Sequence, residues 1–136
     1  MTQPLEDQLR ADIDAIEEAY EFMLAYAAQG AIGDEPGGAG SQIRQALTRC
    51  HDAAKQLPAR LRALVAATSP DAIGDYYAFI EIIERDAADT CTALRLVLAQ
   101  GAISSQLIDN LNAWSHLRAL LTDVFVIDEA LRGDRR

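Results

Sequence analysis

The chain has 136 residues, half of them hydrophobic, and its 21 acidic side chains outnumber 12 Lys and Arg to give a net charge of −9. A chain this apolar is not disordered, and one of this length buries enough surface to fold as a single domain, residues 1–136, without a disulfide or metal staple. The acidity argues against nucleic acid as a partner, because neutralising phosphates needs clustered Lys and Arg, and against an anionic membrane surface for the same reason. Basic protein surfaces and cations are compatible with it.

The opening stretch MTQPLEDQLR lacks the apolar core of a cleavable leader, and no run of about 18 apolar residues suggests a membrane span. Lysine occurs once, at Lys55, while Ala and Arg are abundant, the bias of GC-rich bacterial coding. Cys50 and Cys91 are far apart, have no CxxC or Cys/His metal spacing and fall on apolar helical stripes. They read as buried free thiols of a cytoplasmic protein.

A first helix is expected over residues 4–29. Pro4 suits a first helical position, and Glu6 and Asp7 suit the positive end of the helix dipole. Leu5, Leu9, Ile13, Ile16, Tyr20, Met23 and Ala27 step by four or three along one face. Ala15, Ala19, Phe22 and Tyr26 widen that face. Residues 30–40, GAIGDEPGGAG, form the one long loop.

A second helix is expected over 41–67 with Ser41 as its N-cap. Its seam is Ile43, Leu47, Cys50, Ala54, Leu57, Leu61 and Leu64, a 3.5-residue period. Pro58 predicts a kink near 54–57, with two shorter helices as the alternative.

Ser69, Pro70 and Asp71 are a restart signal for a third helix running to about residue 100. Its segment 76–83, YYAFIEII, has some strand character, but the flanking periodicity favours helix. A fourth helix is expected over 103–131, lined by Leu107, Leu111, Trp114, Leu117, Leu121, Val124 and Leu131, with a frayed tail at 133–136. The sequence AQGAI closes both the first and third helices, at 28–32 and 99–103, as a shared stop signal with glycine at C′ or as a mark of two related hairpins.

The short connections predict an all-α, antiparallel up-down-up-down four-helix bundle, kinked in its second helix near Pro58. Helices about 40–45 Å long would make it thin, a shape that suits pairing with a second copy. Segments 76–83 and 124–127 are apolar on too many sides for one core. They nominate Tyr76, Tyr77, Phe79, Ile80, Ile83, Val124, Phe125 and Ile127 as a self-association surface. Charge is segregated too, with a basic second helix between acidic first and third helices, which suggests interhelical ion pairs. Asp14, Glu18 and Glu21 on the first helix nominate a face for a basic partner.

Four constellations carry candidate chemistry. Glu17, Glu18 and Glu21, with Glu81 and Glu84, place acids one turn apart on two helices, a pattern suited to Mg²⁺ or Mn²⁺. The first group resembles part of the EExxE motif of the MazG-type nucleotide pyrophosphatases, an all-α family, and that resemblance implies a metal-dependent nucleotide hydrolase. The family's second acidic pair, ExxD, falls much closer to the first than position 81. A di-iron site of ferritin type needs Glu-x-x-His, which neither His51 nor His116 completes.

His51, beside the seam of an acidic bundle with Lys55 one turn on, resembles the histidine of phosphotransfer domains. Those domains place lysine and a small residue third and fourth after the histidine, where this chain has Ala54 and Lys55. Asp109, Asn112, His116 and Asp123 form a polar side on the fourth helix suited to general-base work. The glycine-rich loop before the second helix could hold a phosphate, although the Walker pattern is absent. Tyr20, Tyr76 and Trp114 could line a cavity for a small ligand. None of these outweighs an ordinary structural role. The expectation is therefore a non-catalytic adaptor, assembly factor or regulator without cofactor, acting through protein–protein contacts as a homodimer.

Overall fold

The computed structural model describes residues 2–34 and 39–134. These residues form five α-helices and no strand: α1 (Gln3–Ala27), α2 (Ala39–Thr68), α3 (Ile73–Leu98), α4 (Ser105–Ala113) and α5 (His116–Asp134). Part of the glycine-rich loop, 35–38, lies outside the described residues, as do the last two residues of the tail. No described helix is long and apolar enough to cross a membrane.

α1 packs on α2, α2 on α3, and α3 on α5, while α1 also contacts α4 and α5. The buried side chains of all five helices merge into one core. The seam of α2, Ile43 through Leu64, is buried at every expected position, and each such Leu or Ile stabilises the fold by about 1.5–3 kcal/mol. Helix α2 runs through Pro58 without interruption, so the two-helix alternative is set aside. Cys50 and Cys91 are free and buried. Burial, with the neighbouring Cys91 thiol adding to it, pushes the Cys50 thiol up to about 12.

Four boundaries differ from expectation. Helix α2 starts at Ala39, so Ser41 lies inside its first turn rather than at the cap. Ser69 does not start α3 but closes α2: it sits at φ 49° and its N–H reaches Val65 O at 2.8 Å. Pro70 then follows a helix end, a common place for it, and α3 starts at Ile73. The expected fourth helix is broken at Trp114 and Ser115, where Ser115 takes φ 71°. Helix α5 continues to Asp134, past the expected frayed start at 133.

The two AQGAI segments meet in space. Only the first ends its helix on a left-handed glycine, Gly30 at φ 70°. Ser105 Oγ donates to Tyr26 O at 2.6 Å and accepts from Ala31 N–H at 2.8 Å, while its own N–H donates to Ala31 O at 2.9 Å. Tyr26 Oη donates to Ile103 O at 2.6 Å, and Ile103 N–H donates to Asp34 Oδ1 at 2.7 Å. Arg44 pairs with Asp34 and donates to Leu98 O at 3.2 Å and Gln100 O at 2.8 Å, satisfying carbonyls that the end of α3 leaves open. Ser104 caps α4 by accepting from Leu107 N–H at 3.0 Å.

Candidate functional site

The outward stripe of α3 reads Phe79, Ile82, Asp86, Asp89, Ala93, Leu96, spaced by three and four residues. It is apolar at both ends and acidic in the middle. Ile82 is 39% exposed and Leu96 66%, so neither is spent on the core. The elements across the seam repeat the order. At one end Val126 of α5 joins Tyr76 and Phe79 around a hollow of about 230 Å³. At the other end Leu107, Leu111 and Trp114 join Ala93, Leu96 and Asp89 around a hollow of about 450 Å³. Between them Asp123 of α5 faces Asp86, and His116 Nδ1 lies 4.0 Å from Asp89 Oδ2.

The helix break creates the wider end. In one unbroken helix Trp114 would continue the buried stripe of Leu117 and Leu121. The left-handed Ser115 changes the phase, and Trp114 is left 43% exposed. Its ring stacks on His116, with centroids 3.6 Å apart and planes 24° from parallel.

Asp123 is the unusual acid of the groove. Burial, then the hydrogen bond and charge of Asp86, push its carboxyl up to about 7. Its Oδ2 is buried and accepts no hydrogen bond among the described residues.

The sequence-nominated residues divide as follows. Tyr76, Ile80, Ile83, Val124 and Ile127 are buried in the chain's own core and are not available to a second copy. Their helices are covered on more sides than the periodicity suggested, because α3 lies between α2 and α5. Tyr77 and Phe79 are partly buried, and Phe125 is 49% exposed. Asp14, Glu18 and Glu21 all lie exposed on α1.

The carboxylate pairs do not come together. Helix α1 packs on α2, α4 and α5, and Glu84 of α3 is paired with Arg62. Among the described residues no group of three or more His, Cys, Asp and Glu is placed to hold a metal. His51 has both ring nitrogens occupied, Nδ1 at 3.1 Å from Asp52 Oδ1 and Nε2 at 3.1 Å from Arg95 Nη1. The polar side of the expected fourth helix is split by the break. Asp109 lies near Gly30 and Ala31, whereas Asp123 faces Asp86. Tyr76 and Trp114 line different hollows.

The expected interhelical ion pairs form in part. Arg60 Nη1 lies 2.7 Å from both oxygens of Asp12 on α1, and Arg62 meets Glu84 on α3. Burial raises the Asp12 carboxyl, against the opposing pull of Arg60. The groove is not marked by the segments richest in apolar residues, which are spent on the core. Its signal was the heptad-spaced stripe opposite the core of α3, with two acids between apolar ends. Comparison with known protein families, curated protein sequences and solved structures finds no match for this chain.

Proposed function

We propose that this protein is a cytoplasmic, non-catalytic adaptor or regulator that takes a helical segment of a partner protein into the α3–α5 groove. The whole is read as an up-down-up-down four-helix arrangement, with α4 and α5 together as the fourth arm and α2 bent at Pro58. The observation that carries the functional reading is the order of the α3 stripe, apolar, acidic, apolar, with a hollow against α5 at one end and a hollow against α4 at the other. A helix laid in a groove is held by apolar anchors at helical spacing, and the central acids select Arg or Lys at its middle. From Phe79 to Leu96 the wall is about 26 Å long at 1.5 Å per residue, which a partner helix of about 18 residues would span.

A second copy of the chain is the other reading, favoured by the exposure of Phe125 at 49% and Val126 at 53%. Two-fold pairing through this groove would set Asp86, Asp89 and Asp123 against their own counterparts, which like-charge repulsion opposes. Helix α1, with Asp14, Glu18 and Glu21 outward, offers charge without apolar anchors on that stripe.

A designed amphipathic helix with Leu at both ends and Arg in its middle tests the reading. Titrated against the protein, it should change the emission of Trp114, the only tryptophan, saturably. The same peptide with Glu in the middle should bind at least about tenfold more weakly, a difference of about 1.4 kcal/mol. Equal binding of the two peptides, or none, defeats the groove as the contact site. Mass by light scattering decides the second reading, since a dimer that persists in Leu96→Asp and dissociates in Phe125→Asp would move the interface to α5.

A further inference from the structure

On the side of α3 that faces α2, the two helices enclose a separate hollow of about 480 Å³. Its floor is built of small side chains, Ala54, Ala59, Ala87 and Ala88, with Pro58 beside them. Larger residues there would fill it. Three cations line it, Lys55, Arg62 and Arg95, against one acid, Glu84.

Arg62 is committed to Glu84 and also lies over the Tyr77 ring, 5.9 Å from its centroid. Among the described residues the other two cations have no carboxylate at ion-pair distance, the nearest link being Asp52, which shares His51 with Arg95. Arg95 donates to neutral groups, with Nη1 3.1 Å from His51 Nε2 and Nη2 3.2 Å from Thr92 Oγ1. Lys55, the only lysine of the chain, has no ion-pair partner among the described residues, although the chain carries 21 acids. Both charges act on the Cys91 thiol at the hollow's edge. Burial pushes that thiol up, Arg95 and Lys55 pull it back, and the Asp52 carboxylate opposes them more weakly. A protein of net charge −9 thus places two cations without direct ion pairs together over an apolar floor.

We propose that this hollow binds a small organic anion, its charged group held between Lys55 and Arg95 and its apolar body resting on the alanine and proline floor. The guanidinium supplies a directional fork and the ammonium a mobile point charge, a pairing that suits a phosphoryl or carboxyl group. The volume falls within the range of small-molecule sites, about 300–1,000 Å³. The site shares only Thr92 with the hollow beside Leu96 and needs no protein partner.

Heteronuclear NMR titrations of the full chain test it, with phenyl phosphate and phenylacetate as probes and benzyl alcohol as the neutral control. Saturable shifts of the Lys55, Thr92 and Arg95 amides are expected with at least one anion and not with benzyl alcohol. The tighter anion tells a phosphoryl from a carboxyl ligand. Lys55→Gln and Arg95→Gln should each weaken binding about tenfold, the scale of one charge-assisted hydrogen bond. Arg49→Gln, on an exposed turn of α2 outside the hollow, should leave binding unchanged. Lys55→Gln breaks no hydrogen bond or ion pair among the described residues, so it keeps the test valid if Arg95→Gln perturbs the fold. The proposal is overturned if neither anion gives saturable shifts at millimolar concentration. It is equally overturned if Lys55→Gln binds like the parent chain, or if benzyl alcohol binds as well as the anions.

Discussion

Asp123 holds its proton into the neutral range because it shares a partly buried seam with Asp86. Its carboxyl titrates near 7 in the folded chain against 3.8 for the ordinary side chain, burial being the first cause and Asp86 the second. Between about pH 4 and 7 the folded state therefore keeps a proton that the unfolded state has lost, so this contribution to stability falls as pH rises through that window. The melting temperature should drop between about pH 4 and 7 and level off above it. Asp123→Asn should flatten that drop and add of the order of 1 kcal/mol at pH 8, well short of the full shift because solvent screens the pair. Asp34 behaves oppositely. The Arg44 guanidinium is the first cause that holds its carboxyl down, to about 2, so its contribution is present above about pH 4 and is lost only as pH falls toward 2. Arg44→Ala breaks that pair and two carbonyl contacts at the end of α3. It should cost about 2 kcal/mol in denaturant unfolding, the scale of charged hydrogen bonds.

Helix boundaries were the least legible elements, and the reason is local. Ser69 and Ser115 both take left-handed backbone, at φ 49° and 71°. Serine gives no sequence warning of that conformation, as glycine would. Ser69 is exposed and its N–H still closes α2 on Val65. Ser69→Gly should therefore stabilise the chain by about 0.5–1 kcal/mol, read as a raised melting temperature, because glycine carries no penalty there. Helix interiors were legible throughout. The stripe Leu9, Ile13, Ile16 and Met23 of α1 and the whole seam of α2 are buried as their periodicity requires. The stripe of the expected fourth helix was legible only on either side of the break. Leu117, Leu121 and Val124 are buried, while Trp114 is not.

For the whole molecule, the groove and the proton on Asp123 are coupled. A partner helix with a cationic middle stabilises the ionised pair, so its binding should release a proton and strengthen as pH rises toward 7 and above. The measurement is peptide affinity by Trp114 emission across that range, with Asp123→Asn expected to remove the dependence. Leu96→Asp should abolish binding without loss of fold, since Leu96 is 66% exposed. Binding that weakens as pH rises would contradict the acid-centred reading. Of the proposed contact residues, the sequence pointed to Phe79 and Phe125 through their over-apolar segments. It passed over Leu96 and Asp89, which look like ordinary surface until a second element lies beside them.

Composition and the 3.5-residue spacing alone determined that the chain is helical, which faces are apolar, and that its thiols are buried, because those properties follow from local periodicity and from the cost of exposing apolar surface. Tertiary structure decided which over-apolar positions were spent on the chain's own core. It also decided where the last helix breaks, that the two AQGAI segments lock together through Ser105, Asp34 and Arg44, and that acids on α3 and α5 meet while those on α1 and α3 do not. Each of these depends on which helix lies beside which. Side chains far apart in sequence acquire a shifted carboxyl, an ion pair or a hollow between them only when packing brings their elements together.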